Sequence, residues 1–93
     1  MLQPDYSKSF KRDKKALKQS SYDMKELADV IQLIMTGEPL PEGYKEHQLH
    51  EEWAGYTECH IEDDWLLIYK INRQKKIVVF HRTGTHEKLF VSA

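Results

Sequence analysis

The clearest periodicity in the chain lies between Asp23 and Gly37. Met24, Leu27, Ile31 and Ile34, widened by Val30 and Met35, form the apolar stripe of an amphipathic helix. Asp23 stands at its N-cap, and Glu26 three residues on is placed to close a capping box. Tyr22 and Leu27 occupy the two staple positions around that cap. Gly37 fits the position just past the helix end, and Pro39 and Pro41 forbid continuation. An earlier helix is expected from a cap at Ser7 or Ser9 to about Gln19. Its apolar face is thin (Phe10, Ala16, Leu17) and its other faces are lysine-rich, so it packs on one side and is wet on the others. Residues 2–6 read as an edge strand, where Pro4 is tolerated.

The pattern changes after Gly37. Residues 37–52 hold two Pro, two Gly and five Glu, a loop long enough to carry function. Three strand-like runs follow. Residues 53–61 are mixed. Residues 65–71 alternate Trp65, Leu67, Tyr69 and Ile71 against Leu66, Ile68 and Lys70. Residues 76–83 hold Ile77-Val78-Val79-Phe80 and then turn polar. The turns at 62–64 and 72–75 are short, which specifies an antiparallel meander. Residues 86–90 fit a helical turn or a last short strand. Helices in a run and then strands in a run give an α+β fold, two N-terminal helices packed on a small antiparallel sheet.

Length and composition narrow the class. At 93 residues the chain is expected to be a single domain, 1–93, with one modest core. Its 40% apolar and 31% charged residues describe a globular protein. The longest apolar run, 65–69, falls far short of the ~20 residues of a spanning helix, so no membrane role is expected. No apolar signal segment is visible at the start, and the single Cys59 gives no internal disulfide framework; the expected compartment is the cytoplasm.

A net charge of −1 conceals strong blocks. Residues 8–25 carry seven Lys/Arg against two Asp, residues 38–64 nine Asp/Glu against one Lys, and residues 70–88 six Lys/Arg against one Glu. The basic blocks are suited to a polyanion, although solvated faces have the same composition.

Five histidines, at 47, 50, 60, 81 and 86, are many for this length. A metal site is disfavoured, because Cys59 and His60 are neighbours on a strand and point to opposite faces. Cys59 as a nucleophile lacks any local feature that activates it. Phosphate-binding glycine loops are absent. Acid–base cleavage of RNA fits better. It needs a base for the ribose 2′-OH, a cation for the phosphorane and an acid for the leaving 5′-oxygen. Histidine suits both proton transfers, and arginine suits the phosphorane through its fork and permanent charge. In a meander, His60 and Asp64 at one turn meet Arg82 and His86 at the end of the next strand. His47 reaches the same end from the long loop. His50 reads as solvated and His81 as structural. Trp53, Tyr56 and Tyr69 read as core or loop anchors.

These residues resemble a known family. Tyr44-Lys45-x-His47-x-Leu49 with Trp53-x-Gly55-Tyr56, then His60-Ile61-Glu62-x-Asp64-Trp65, then Arg82-Thr83-Gly84-Thr85-His86-x-x-Leu89-Phe90, is similar to the YafQ branch of the RelE-like toxins, the toxin halves of bacterial type II toxin–antitoxin pairs. The likeness is close from 44 to 90 and one of layout over the two helices. It implies a ribosome-dependent mRNA endoribonuclease leaving a 2′,3′-cyclic phosphate and a 5′-hydroxyl, with no cofactor. It also implies two partners, a DinJ/RelB-like antitoxin and the 70S ribosome carrying mRNA.

Carried over, the family's active-site positions fall on His47, His60, Asp64, Trp65, Arg82, His86 and Phe90. The resemblance implies proton transfer by Asp64 and the histidines, with His86 as general acid and His47, His60 or Asp64 as base. It gives Arg82 the scissile phosphate, and Trp65 and Phe90 the base pocket. Lys11, Arg12, Lys14 and Lys15 on the first helix would meet ribosomal RNA backbone. Two other classes remain beside this reading. One is a toxin of the same fold that binds a protein such as gyrase without catalysis. The other is a small RNA-binding module.

Overall fold

A computed structural model of the chain describes residues 1–90. The expected meander is present as β3 (Thr57–Glu62), β4 (Trp65–Asn72) and β5 (Ile77–Gly84), each antiparallel to the next. Two short strands flank it, β1 (Gln3–Tyr6) beside β5 and β2 (His47–Gln48) beside β3, giving the order β1-β5-β4-β3-β2. β1 runs parallel to β5, so the sheet is mixed rather than wholly antiparallel. Short turns dictate direction only within the meander. Most of the chain separates β1 from β5, and no hairpin constrains that pair.

Ser7 is the cap of α1 (Lys8–Gln19): its Oγ accepts from Phe10 N at 3.0 Å and donates to His81 O at 2.8 Å. α2 (Met24–Met35) starts at Asp23, whose Oδ1 accepts from Lys25 N at 2.9 Å. The capping box does not close. Glu26 shares a cleft with Glu62 instead, and that neighbouring carboxyl leads the causes raising its pKa above the ordinary carboxylate value. Gly37 ends the helix at φ +81°, donating to Ile34 O. The long loop contains β2 and two helical turns, Glu42–Tyr44 and Glu51–Trp53, so Trp53 belongs to a turn and not to a strand.

Both faces of β4 are covered, which explains its unbroken run of five apolar residues. On one face Trp65, Leu67 and Tyr69 join Phe10 and Leu17 of α1, Leu27, Val30 and Ile34 of α2, and Val78 and Phe80 of β5. On the other, Leu66 and Ile68 lie under Leu89, Leu49, Trp53, Tyr56 and Phe90. Leu89 and Phe90 belong to α3 (His86–Phe90), which resolves the C-terminal alternative in favour of a helical turn.

Candidate active site

The second face of the sheet carries the chemistry because of register. Side chains directly opposite on antiparallel strands share a face. His47 pairs with Glu58, Glu58 with Ile68, and Ile68 with Arg82. This row crosses β2, β3, β4 and β5 on one side. His60 belongs to the same side, opposite Leu66, which in turn faces Gly84. Cys59 points the other way into the core, where burial pushes its thiol pKa far up and keeps it protonated. That agrees with its exclusion as a nucleophile.

Glu58 is the residue that spacing arguments passed over. It is 5% exposed. Its Oε2 lies 3.0 Å from His47 Nε2 and 3.6 Å from His60 Nε2. Each histidine is also held at its other nitrogen. His47 Nδ1 lies 2.9 Å from Lys45 O, and His60 Nδ1 lies 3.1 Å from Asp63 O. A carbonyl only accepts, so each Nδ1 that bonds one is the donor, and Nε2 of His47 hydrogen-bonds Glu58 only when it carries a proton as well. A proton arriving at either Nε2 meets a carboxylate. The signal available in the sequence was alternation: Glu58 and His60, two apart on a strand, share a face.

Asp64 and His86 meet through the backbone: His86 N donates to Asp64 Oδ1 at 3.1 Å. Gly84 lies just before this contact. Its φ of +155° suits glycine, and it turns the chain sharply from β5 into α3. Thr85 Oγ1 then caps α3 by accepting from Lys88 N. The His86 ring is exposed and lies 5.0 Å, centroid to centroid, from Phe90, which packs edge-on to Trp53 at 6.2 Å.

Arg82 is tied down. Its Nε donates to Asp13 Oδ2 at 2.6 Å and its Nη2 to Asp13 Oδ1 at 3.2 Å. Trp65 departs from the expected base pocket. It is 1% exposed, its indole N–H donates to Thr83 Oγ1 at 2.9 Å, and Tyr22 packs edge-on against it. A ring enclosed on both sides has no face for a base, so Trp65 is a core anchor. Phe90 is only half-buried and keeps the option of contact.

The remaining residues fall as their composition suggests. His50 is exposed, and His81 Nε2 hydrogen-bonds Tyr56 OH at 3.1 Å. Tyr69 OH donates to Glu46 at 2.6 Å and pins the long loop. Lys11, Arg12, Lys14 and Lys15 are exposed on α1. A cleft of about 610 Å³ that His60 and Asp64 help to line is acidic at its far side, with Glu26, Glu62 and Asp63 against one Lys45. Anionic substrate is favoured instead on the face that carries Arg82. Among the described residues no group of three or more His, Cys, Asp or Glu is arranged to hold a metal ion, and no helix is long and apolar enough to cross a membrane.

Solved structures of bacterial toxins share this shape. A solved complex of DinJ with YafQ from Escherichia coli superposes with a TM-score of 0.86 at 41% identity, over 97% of this chain and 99% of that one. A metal-bound toxin from Helicobacter pylori superposes with a TM-score of 0.90 at 37% identity, over 97% of this chain and all of that one. In sequence, the mRNA interferase toxin YafQ of E. coli BL21-DE3 is 42% identical over 97% of this chain and 99% of its own length. Residues 2–91 match the model for YafQ, bacterial toxin of type II toxin–antitoxin systems. The chain belongs to the YafQ toxin family.

Proposed function

We propose that this chain is a cytoplasmic toxin that cuts mRNA on the ribosome by metal-free acid–base chemistry and is held inactive by a DinJ-like antitoxin. The observation that carries the reading is the face of the sheet, where a carboxylate-backed histidine pair, an arginine and an exposed histidine occur together. Its similarity to mRNA interferase toxins supports the substrate class, and the DinJ–YafQ complex supports the partner.

In this mechanism the His47–Glu58–His60 cluster takes the proton from the ribose 2′-OH. The resulting imidazolium donates through Nε2 to Glu58, so the proton is stabilised where it arrives. The 2′-oxygen attacks the adjacent phosphorus, and the negative charge on the phosphorane is met by Arg82. His86 delivers a proton to the departing 5′-oxygen. Asp64 holds the start of α3, and Phe90 flanks the imidazole, so both fix the position of this acid. The products are a 2′,3′-cyclic phosphate and a 5′-hydroxyl.

The domain has only a shallow face with which to hold a long strand. The ribosome supplies the alignment, a contribution of about 7–11 kcal/mol in well-oriented systems. The basic face of α1 supplies docking charge for ribosomal RNA. Primer extension on translated mRNA after induction tests the reading. New 5′ ends within translated frames support it, and unbroken mRNA during growth arrest contradicts it in favour of a non-catalytic protein-binding toxin.

A further inference from the structure

Asp13 is an acidic residue in the middle of the most basic helix, and it is buried at 6% exposure. Its position has a topological cause. β1 pairs only with Ile77–Phe80 of β5, so the edge of β5 beyond Phe80 has no strand beside it. α1 crosses that edge. Ser7 Oγ donates to His81 O, and Thr83 N donates to Asp13 Oδ2 at 3.2 Å. Asp13 thus closes an open strand edge and receives Arg82 with the same carboxylate.

The way Arg82 is held matters for the proposed reaction. A guanidinium has two forks. One is formed by Nε with Nη2, the other by the outward hydrogens of Nη1 and Nη2. Asp13 takes the first, with Nε on Oδ2 and Nη2 on Oδ1. The second points away from Asp13. We propose that Asp13 is a positioning residue for cleavage: it keeps the Nε/Nη2 fork of Arg82 throughout, so that the Nη1/Nη2 fork is presented, already oriented, to a phosphate. The proposal rests on the nuclease reading above and adds to it the residue that sets the direction of the phosphate clamp. A free arginine would have to lose side-chain entropy on binding; this one has already lost it.

Two measurements test this. The first is single-turnover cleavage of ribosome-bound mRNA by wild type, Asp13→Asn, Arg82→Ala and the double variant, with saturating binding. Asp13→Asn keeps the shape and removes the paired charge. It should slow cleavage by about tenfold to a hundredfold, as misplacement of a reacting group does, without changing the affinity for the ribosome. In the Arg82→Ala background the same change should have no further effect, because Asp13 acts through Arg82. Multiplicative losses, or an Asp13→Asn rate equal to wild type, overturn the proposal. A wild-type chain that leaves all mRNA intact overturns the nuclease reading itself.

The second needs no variant. In wild-type protein the Arg82 Nε–H resonance should exchange slowly. It should stay protected at saturating adenosine 3′-monophosphate, while the Nη1 resonances shift. Loss of Nε–H protection on binding would mean that Arg82 releases Asp13 to take the phosphate, and the proposal fails.

Discussion

The Nε2 atom of His47 and the buried carboxylate of Glu58 stand 3.0 Å apart, on paired positions of β2 and β3. β2 is only two residues long, and this contact ties it to the sheet through side chains as well as backbone. His60 approaches the same oxygen from Glu58's own strand. Glu58→Gln keeps the shape and removes the charge that stabilises the protonated imidazole. Cleavage should fall about tenfold or more, a part of the 10²–10⁴-fold that base catalysis contributes. Single-turnover rates on ribosome-bound mRNA check this, and an unchanged rate would reduce Glu58 to packing.

His86→Gln removes the proposed acid from an exposed position. The rate should drop by about 10²–10⁴-fold and growth arrest should vanish. Thermal stability should stay within about 0.5 kcal/mol of wild type, as at other exposed positions. A melting curve beside the cleavage assay separates lost chemistry from lost fold. Arg82→Lys behaves differently. A lysine cannot engage Asp13 and a phosphate with two forks, so this variant should lose both activity and stability.

The second helix was legible down to its cap and its terminating glycine, because periodicity, Asp23 and Gly37 all act locally. So was the meander, whose turns are short. Three features were not. The parallel pairing of β1 depends on two segments more than seventy residues apart. The enclosure of Trp65 depends on Tyr22 and Thr83 arriving from other elements. Asp13 reads as one acid among lysines until the unpaired edge of β5 is seen beside it. Each is a long-range pairing that no local pattern encodes. Of the site, His47, His60, Asp64, Arg82 and His86 were marked by their chemistry, and Glu58 emerges as the shared partner of His47 and His60.

The contact between Glu26 and Glu62 gives a pH signature. Glu26 has its pKa raised in the folded protein, first by the neighbouring Glu62 carboxyl and then by burial and other nearby acids. An acid whose folded value lies above its unfolded value binds its proton more tightly when folded. Its contribution is therefore present at low pH, below the ordinary value of 4.5, and is lost as pH rises through the raised value. Glu26→Gln should remove this component. The melting temperature of the variant relative to wild type should increase as pH is raised from below 4.5 toward neutrality. A pH-independent difference would show that the two carboxyls do not share a proton.

The basic face of α1 should act on binding and not on chemistry. Replacing Lys11, Arg12, Lys14 and Lys15 with Gln should weaken ribosome binding and reduce the slope of log affinity against log salt by about 3. The single-turnover rate at saturating ribosome should be retained. Unchanged binding and salt slope would assign this face to another partner or to solvent.

The most direct test of the account is cleavage of a defined mRNA bound to purified 70S ribosomes, with the sugar before the scissile phosphate either ribose or 2′-deoxyribose. The account predicts cutting of the ribose substrate on the ribosome, a 2′,3′-cyclic phosphate and a 5′-hydroxyl at the new ends, much slower cutting of the same RNA when naked, and no cutting of the 2′-deoxy substrate. Equal cleavage of the 2′-deoxy substrate, or ends bearing a 5′-phosphate, would contradict attack by the 2′-hydroxyl and with it the roles assigned to the His47–Glu58–His60 cluster, Arg82 and His86.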